Sequence, residues 1–170
     1  MSLTIGITLA GCLAASYSDV RTRRIPNWLT GLLLLAALVI HGLEGWRSVG
    51  TSLAVMAIIL VAGTLAYSRG GIGGGDIKLG IVASGLLSYP LCVPFLLYTA
   101  IGGGLLALVF LAMRGKARAG VSRVFLMAFA GGPGPAPDKA ETLPYAVAFA
   151  FGAILVALSQ SIAPFLRINL

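Results

Sequence analysis

Six apolar stretches, separated by polar or glycine-rich segments, dominate the chain. They cover Leu3–Tyr17, Trp28–Ile40, Val49–Tyr67, Ile77–Leu87, Leu91–Met113 and Leu143–Ala163. A helix needs ~20 predominantly apolar residues to span a bilayer, and the longer stretches reach that length. Ser88-Tyr89-Pro90 separates the fourth stretch from the fifth, because proline lacks a backbone N–H and clashes with the preceding turn. The pattern predicts an all-α integral membrane protein with a bundle of six transmembrane helices.

Composition supports this class. Of the 170 residues, 58% are hydrophobic and 10% are charged, whereas a soluble domain carries about 25% charged residues. So few charges cannot cover a water-soluble globule of this size. Residues 1–170 are therefore expected to form a single transmembrane domain.

The positive charges predict the orientation. The net charge is +7, and ten of the twelve basic residues follow the first, third and fifth apolar stretches, whereas Arg47 and Arg167 lie on the other side. Cytoplasmic loops are enriched in Lys and Arg, so we expect both termini outside and these loops in the cytoplasm. The same distribution accounts for the positive charge without a nucleic-acid partner.

The segment between the fifth and sixth stretches, Arg114–Thr142, is the longest non-membrane part. Arg114–Ala130 mixes basic and apolar residues, which is typical of a helix lying at the membrane interface. Its basic residues from Arg114 to Arg123 are candidates for contact with anionic lipid. Gly131–Pro137 is expected to be a linker.

Two of the five acidic residues stand out. Asp19 and Asp76 each lie where an apolar stretch meets a cytoplasmic loop, and ionisable groups at such depth usually face a cavity and serve function. Glu44, Asp138 and Glu141 are interpreted as surface charges. A structural alternative remains open for each aspartate: Asp76 as an N-cap of the fourth helix, and Asp19 as an ion-pair partner of Arg21, Arg23 or Arg24.

A pair of carboxylates can hydrolyse a peptide bond. Two neighbouring carboxyl groups share one proton; the ionised one activates water and the protonated one donates to the carbonyl oxygen. The chain has one His and two separated cysteines, Cys12 and Cys92, which favours neither a zinc site nor a disulfide. We therefore predict no metal and no cofactor.

Glycines precede the second aspartate. Gly73-Gly74-Gly75 can adopt unusual dihedrals and lie close to an extended substrate. A plain flexible turn between helices is the alternative.

Together these segments resemble the bacterial type IV prepilin peptidases, in the short single-module form of tight-adherence (Flp-type) pilus systems. The resemblance rests on Asp19 with Ile25-Pro26-Asn27, on Gly73-Gly74-Gly75-Asp76 with Ile77-Lys78-Leu79, and on Leu143-Pro144-Tyr145-Ala146. Three segments in the family's order extend the likeness over essentially the whole chain.

The resemblance implies an inner-membrane aspartyl endopeptidase that removes prepilin or pseudopilin leaders at the cytoplasmic face. It implies that Asp19 and Asp76 are catalytic, with the prepilin and the lipid bilayer as partners. The expected supporting or substrate-binding residues are Gly73, Gly75, Lys78, Pro26, Asn27, Pro144 and Tyr145. Lys78 is expected to contact Asp76 or substrate, or only to extend towards the interface; Pro144 and Tyr145 are expected to shape the last helix.

The chain departs from larger family members in lacking their cytoplasmic insertion with paired cysteines. We therefore expect proteolysis without N-methylation and without zinc or S-adenosylmethionine. Three other functions stay open: a preflagellin-type peptidase, a non-enzymatic membrane component of a pilus or secretion machine, and a small transporter. Against the transporter, no acid lies near the middle of a span, where coupling sites usually sit.

Overall fold

A computed structural model describes residues 3–68, 73–113 and 145–167, and all regular secondary structure within these ranges is helical. The helices are α1 (Leu3–Thr22), α2 (Asn27–Glu44), α3 (Trp46–Ser68), α4 (Gly74–Met113) and α5 (Ala146–Arg167). Among them α1 to α4 are long and apolar enough to cross a membrane, and α5 contains a shorter apolar helix over Ala146–Ser161. The predicted all-α membrane class agrees with this architecture.

The fourth helix is the centre of the bundle. Among the described helices, α4 packs against all four others, α1 also packs on α2 and α5, and α2 packs on α3. The core between them contains fully buried side chains such as Phe95, Leu79 and Leu86. Large apolar side chains such as Leu43 and Ile58 are exposed on the outside, as expected where lipid covers the surface.

A break divides α4 into α4a (residues 74–87) and α4b (residues 90–113). Ser88 and Tyr89 have non-helical dihedrals, so the break predicted at Ser88-Tyr89-Pro90 is confirmed. In an unbroken helix Gly85 O would bond to the N–H of residue 89 and Leu86 O to that of residue 90, where proline has none. The carbonyl groups of Gly85 and Leu86 therefore need other donors.

Those donors come from α2 and α3. His41 Nε2 lies 3.1 Å from Gly85 O and 3.2 Å from Leu86 O, and Ser52 Oγ donates to Gly85 O at 2.8 Å. On the other side of the ring, His41 Nδ1 lies 3.0 Å from Glu44 Oε2. Glu44 was interpreted as a solvated surface charge, but although its side chain is half exposed it pairs with this buried histidine.

The joint between the second and third helices differs from the prediction. The polar segment between the second and third apolar stretches, residues 41–48, predicts a loop; this prediction is wrong, because α2 continues to Glu44 and α3 begins at Trp46. Gly45 alone joins them with φ of 112°, a backbone conformation that glycine adopts without steric penalty. The first helix continues past its apolar stretch through Asp19 to Thr22, as expected of a helix that brings the carboxylate to the edge of the membrane.

Several predicted features lie outside the described residues. These are the interfacial helix over Arg114–Ala130, the linker Gly131–Pro137 and Pro144.

Candidate active site

The end of α1 and the turn after it fix the position of Asp19. Arg23 has φ of 55°, and its N–H donates to Asp19 O at 2.9 Å, which ends the helix. The hydroxyl groups of Ser18 and Thr22 donate to the Arg24 carbonyl at 3.0 and 3.3 Å. This local network holds the turn against the last turn of α1, which carries Asp19.

Asp76 is held at the start of α4. Gly73 O accepts the N–H of Ile77 at 3.2 Å, so Gly73, not Asp76, is the N-cap. Asp76 is the third residue of the helix, and its carboxylate accepts a hydrogen bond from the Gly73 backbone N–H. This is one half of a capping box. The alternative that Asp76 is the N-cap residue is therefore wrong. Its carboxylate nevertheless accepts a hydrogen bond from one of the free N–H groups at the start of α4.

The glycines before Asp76 matter mainly because they lack side chains, which leaves room for neighbouring atoms. A Cβ on Gly73 would lie 2.9 Å from Asp76 Oδ2, whereas one on Gly75 would meet Ile25 at an ordinary 3.6 Å. Gly74 and Gly75 are already helical. The expectation of unusual dihedrals therefore does not apply to these two positions. Among the three glycines, Gly73 is the one at which a side chain would collide with Asp76.

Asp19 is bound from a third helix. Ala146, the first residue of α5, donates its backbone N–H to Asp19 Oδ2 at 3.3 Å. Only 8% of Asp19 is exposed. The first N–H groups of a helix have no partner within it, so this contact satisfies a donor at the start of α5 and joins α5 to α1.

One pocket of about 430 Å³ brings both aspartates together. Asp19 and Asp76 both line it, and their charges repel each other. The complete lining is Asp19, Arg23, Arg24, Ile25, Asn27, Gly73, Gly74, Gly75, Asp76 and Lys78. Of the predicted supporting residues, Gly73, Gly75, Asn27 and Lys78 are therefore at the site.

Lys78 contacts a residue of α2. Its Nζ donates to Asn27 Oδ1 at 3.2 Å, and both side chains are exposed. Pro26 is the N-cap residue of α2, and its carbonyl accepts the N–H of Leu29 at 3.2 Å. Pro26 thus supports the helix that carries Asn27 and does not line the pocket.

Tyr145 directly precedes α5 and is not among the residues that line the pocket. Burial, and then the charge of nearby Asp76, raise the pKa of the Tyr145 phenol above its usual value. Asp76 is thus within electrostatic range of the half-buried phenol, and the role of Tyr145 in shaping the last helix stays a prediction.

The sequence analysis did not identify three residues that contribute to the pocket or to the position of Asp19. Arg23 and Arg24 were interpreted through topology and ion pairing, yet both line the pocket; their closeness to Asp19 in sequence was the available signal. Ala146 acts through its backbone N–H, which no side-chain pattern reveals.

Two carboxylates in one pocket, at the end of an apolar helical bundle, define a membrane protein with the groups for acid–base chemistry. A profile of the type IV leader peptidase family matches residues 6–108. The match covers more than half of the chain and includes both aspartates, so the chain belongs to this family.

Comparison with individual proteins also finds a prepilin peptidase that is similar to part of this chain. The prepilin peptidase EppA of Methanothermobacter thermautotrophicus is 33% identical over 93 residues, which are 51% of this chain and 24% of that protein. The chain thus matches about a quarter of the length of this curated relative. No solved structure matches the chain.

Proposed function

We propose that this protein is an aspartyl endopeptidase that removes the leader of Flp-type prepilins or pseudopilins at the cytoplasmic face of the bacterial inner membrane. The observation that carries the proposal is the shared pocket of Asp19 and Asp76, within the region that matches the leader peptidase family. The proposal includes hydrolysis without N-methylation.

The proposed reaction uses one proton shared by two carboxyl groups. Like charges at close range do not both form readily, so the pair holds one negative charge and one proton. The ionised carboxylate takes a proton from water as the water attacks the scissile carbonyl. The protonated carboxyl group donates to the carbonyl oxygen, and a proton then passes to the departing amine. No covalent intermediate forms.

The pocket is suited to a chain that leaves the bilayer. It lies where α1 ends and α2 and α4 begin, with the start of α5 bound to Asp19. A precursor whose apolar helix remains in the membrane would extend its leader across this end of the bundle. The proposed cut falls between leader and helix.

A non-enzymatic role is the second candidate, favoured by one observation. Both carboxylates accept backbone N–H groups at helix starts, which is a structural function in itself. An asparagine side-chain oxygen accepts the same hydrogen bonds and serves well at helix N-termini, but it cannot exchange the proton. Asp→Asn substitution therefore separates chemistry from capping.

The experiment co-expresses the protein with an Flp-type prepilin and identifies the cleaved product by gel shift and N-terminal sequencing. Wild type, Asp19→Asn and Asp76→Asn are compared at equal membrane levels, with Glu44→Gln as a control at an acidic residue outside the pocket. We expect cleavage by wild type and Glu44→Gln and none by the two pocket variants. Cleavage by both pocket variants would reject the two-aspartate mechanism. The same cleavage assay with a preflagellin precursor in place of the prepilin tests the remaining substrate alternative.

A further inference from the structure

We propose that a groove between α2 and α3 receives the apolar helix of the precursor and guides its start into the aspartate pocket. This inference rests on the proposed function, because that function supplies the precursor. One wall of this α2–α3 groove is formed by Asn27, Gly31, Leu34 and Leu38 of α2. The other wall is the pocket-end half of α3, residues 57–68, and the floor is one side of α4a.

The floor of the groove becomes less covered towards the pocket. Lys78, Ile81 and Gly85 follow one another at helical spacing on one side of α4a. Gly85 is buried, a Cβ there would meet the Met56 side chain of α3, and its carbonyl lies against His41 of α2. Ile81 is half-buried and Lys78 is exposed. The cover that α2 and α3 provide for α4a is therefore lost over about two turns, or roughly 10 Å.

The pocket-end half of α3 is sparsely covered. The buried residues of α3 are Ser52 and Met56, and both belong to the half next to its joint with α2. None of residues 57–68 is buried, although Gly63 lies against Ile77 of α4a. Within the described part of the chain, this half of α3 therefore has surface left on which another helix can pack.

The wall on α2 is apolar below Asn27 and contains an open glycine. Asn27, Gly31, Leu34 and Leu38 recur at helical spacing, which places them on one side of α2. The same side continues to His41, which contacts the start of α3. No atom lies within 4 Å of a Cβ on Gly31, and Leu34 and Leu38 are 38% and 41% exposed. A glycine on a membrane helix lets another helix approach closely.

The apolar helix of the precursor fits this groove in chemistry, position and direction. Neither Trp28–Ile40 nor Val49–Ser68 contains a charged residue, so both walls suit an uncharged helix. Lys78 lies at the mouth of the groove and also lines the aspartate pocket. A helix docked there would begin at the pocket and run into the bilayer, as does a precursor that is cut just before its apolar helix. The wall from Asn27 to Leu38 is roughly 16 Å long, enough for about three turns.

Filling the groove tests its use by the precursor. Gly31→Trp places a large ring in the groove at a position with nothing within 4 Å of the Cβ. Gly104→Trp is the matched control, since Gly104 is equally open and lies on α4b, which packs on α5. For Gly31→Trp we expect KM for the full-length precursor to rise about tenfold, or ~1.4 kcal/mol, with kcat and the melting temperature close to wild type. A wild-type KM in this variant would overturn the proposal.

Photocrosslinking locates the precursor independently of cleavage. Benzoylphenylalanine replaces Leu34 in the groove or Ile101, which is 64% exposed on α4b. The full-length Asp76→Asn protein carries the label, so that a co-expressed Flp-type prepilin stays uncut. We expect illumination to join position 34, and not position 101, to the first turns of the apolar helix of the prepilin. Adducts of position 34 with lipid or with a second copy of the chain, and none with the prepilin, would overturn the proposal.

The groove and the proposed function fail separately. If wild type cleaves the prepilin but position 34 gives no prepilin adduct, the groove is wrong and the proposed function stands. If wild type cleaves no prepilin while position 34 still forms the adduct, the proposed function fails and the groove stands as a binding surface for the apolar helix.

Discussion

Gly73 stands against the Asp76 carboxylate, and a methyl group at this position would come within 2.9 Å of Oδ2. We predict that Gly73→Ala displaces the carboxylate and lowers kcat/KM for leader cleavage by about tenfold or more, since a misplacement of about 1 Å can reduce the rate about a hundredfold and a smaller shift costs less. Gly104→Ala is the matched control, because nothing lies within 4 Å of a Cβ there. Cleavage assays on purified variants provide the measurement; equal rates for both variants would contradict the steric argument.

Lys78 and Asn27 form a second residue-level contact, between the starts of α4 and α2. Both side chains are exposed, so solvent competes for the bond, and we expect a coupling energy below ~1 kcal/mol in a double-mutant cycle of Lys78→Met and Asn27→Ala. Unfolding in mixed micelles measures it. A larger coupling in stability would mean that the pair fastens the two helices; a large loss of cleavage with unchanged stability would instead indicate substrate contact.

At the scale of elements, the break in α4 depends on a histidine from α2. His41 Nε2 lies against two carbonyl groups that the break leaves unpaired, and these contacts are buried inside the bundle, so water does not readily replace the histidine. We predict that His41→Leu destabilises the protein by ~1–3 kcal/mol. Ser52→Ala should have a smaller effect, because Gly85 O keeps His41 as a donor. Unfolding in mixed detergent micelles provides both values, and the reverse order would contradict this explanation.

The contact between α4b and α5 depends on a glycine. A Cβ on Gly152 would lie 3.0 Å from both Phe95 O and Thr99 N, and closer still to Thr99 Oγ1. Backbone atoms cannot rotate away, so we predict that Gly152→Ala separates the helices and costs ~1–3 kcal/mol. Gly50→Ala, where nothing lies within 4 Å, should be neutral or stabilising. The melting temperature in detergent is the readout; a Gly152→Ala protein as stable as wild type would show that the helices can shift apart.

Sequence patterns predicted some elements well and others poorly, for physical reasons. Proline at 90 forbids a continuous helix, so the break in α4 was predictable. The tight joint at Gly45 was not, because the polar residues around it suggested a loop although they lie in helices. The two aspartates were found as candidates because carboxylates are rare in apolar sequence. The bond from Ala146 to Asp19 depends on how α5 docks, which a local pattern does not contain.

At the scale of the whole molecule, the two ends of the bundle differ in chemistry. The pocket end carries Asp19, Asp76 and the cations Arg23 and Arg24. The other end of α2 carries His41, which together with Ser52 satisfies the carbonyl groups left by the break in α4. The helix between these ends spans 18 residues, or roughly 27 Å at 1.5 Å per residue. This length is close to the ~30 Å hydrocarbon thickness of a bilayer, so we expect the two ends to lie on opposite membrane faces.

The charge bias assigns each end to a side, and that assignment can be tested with single cysteines. The native Cys12 and Cys92 are 0% and 5% exposed, so they should react little with a membrane-impermeant maleimide. Thr22→Cys places a thiol at the exposed pocket end, and Trp46→Cys places one beside Gly45, where the side chain is 90% exposed. The positive-inside rule predicts labelling of Trp46→Cys in intact spheroplasts and of Thr22→Cys only after permeabilisation. The opposite pattern would put the aspartates outside and exclude cleavage at the cytoplasmic face.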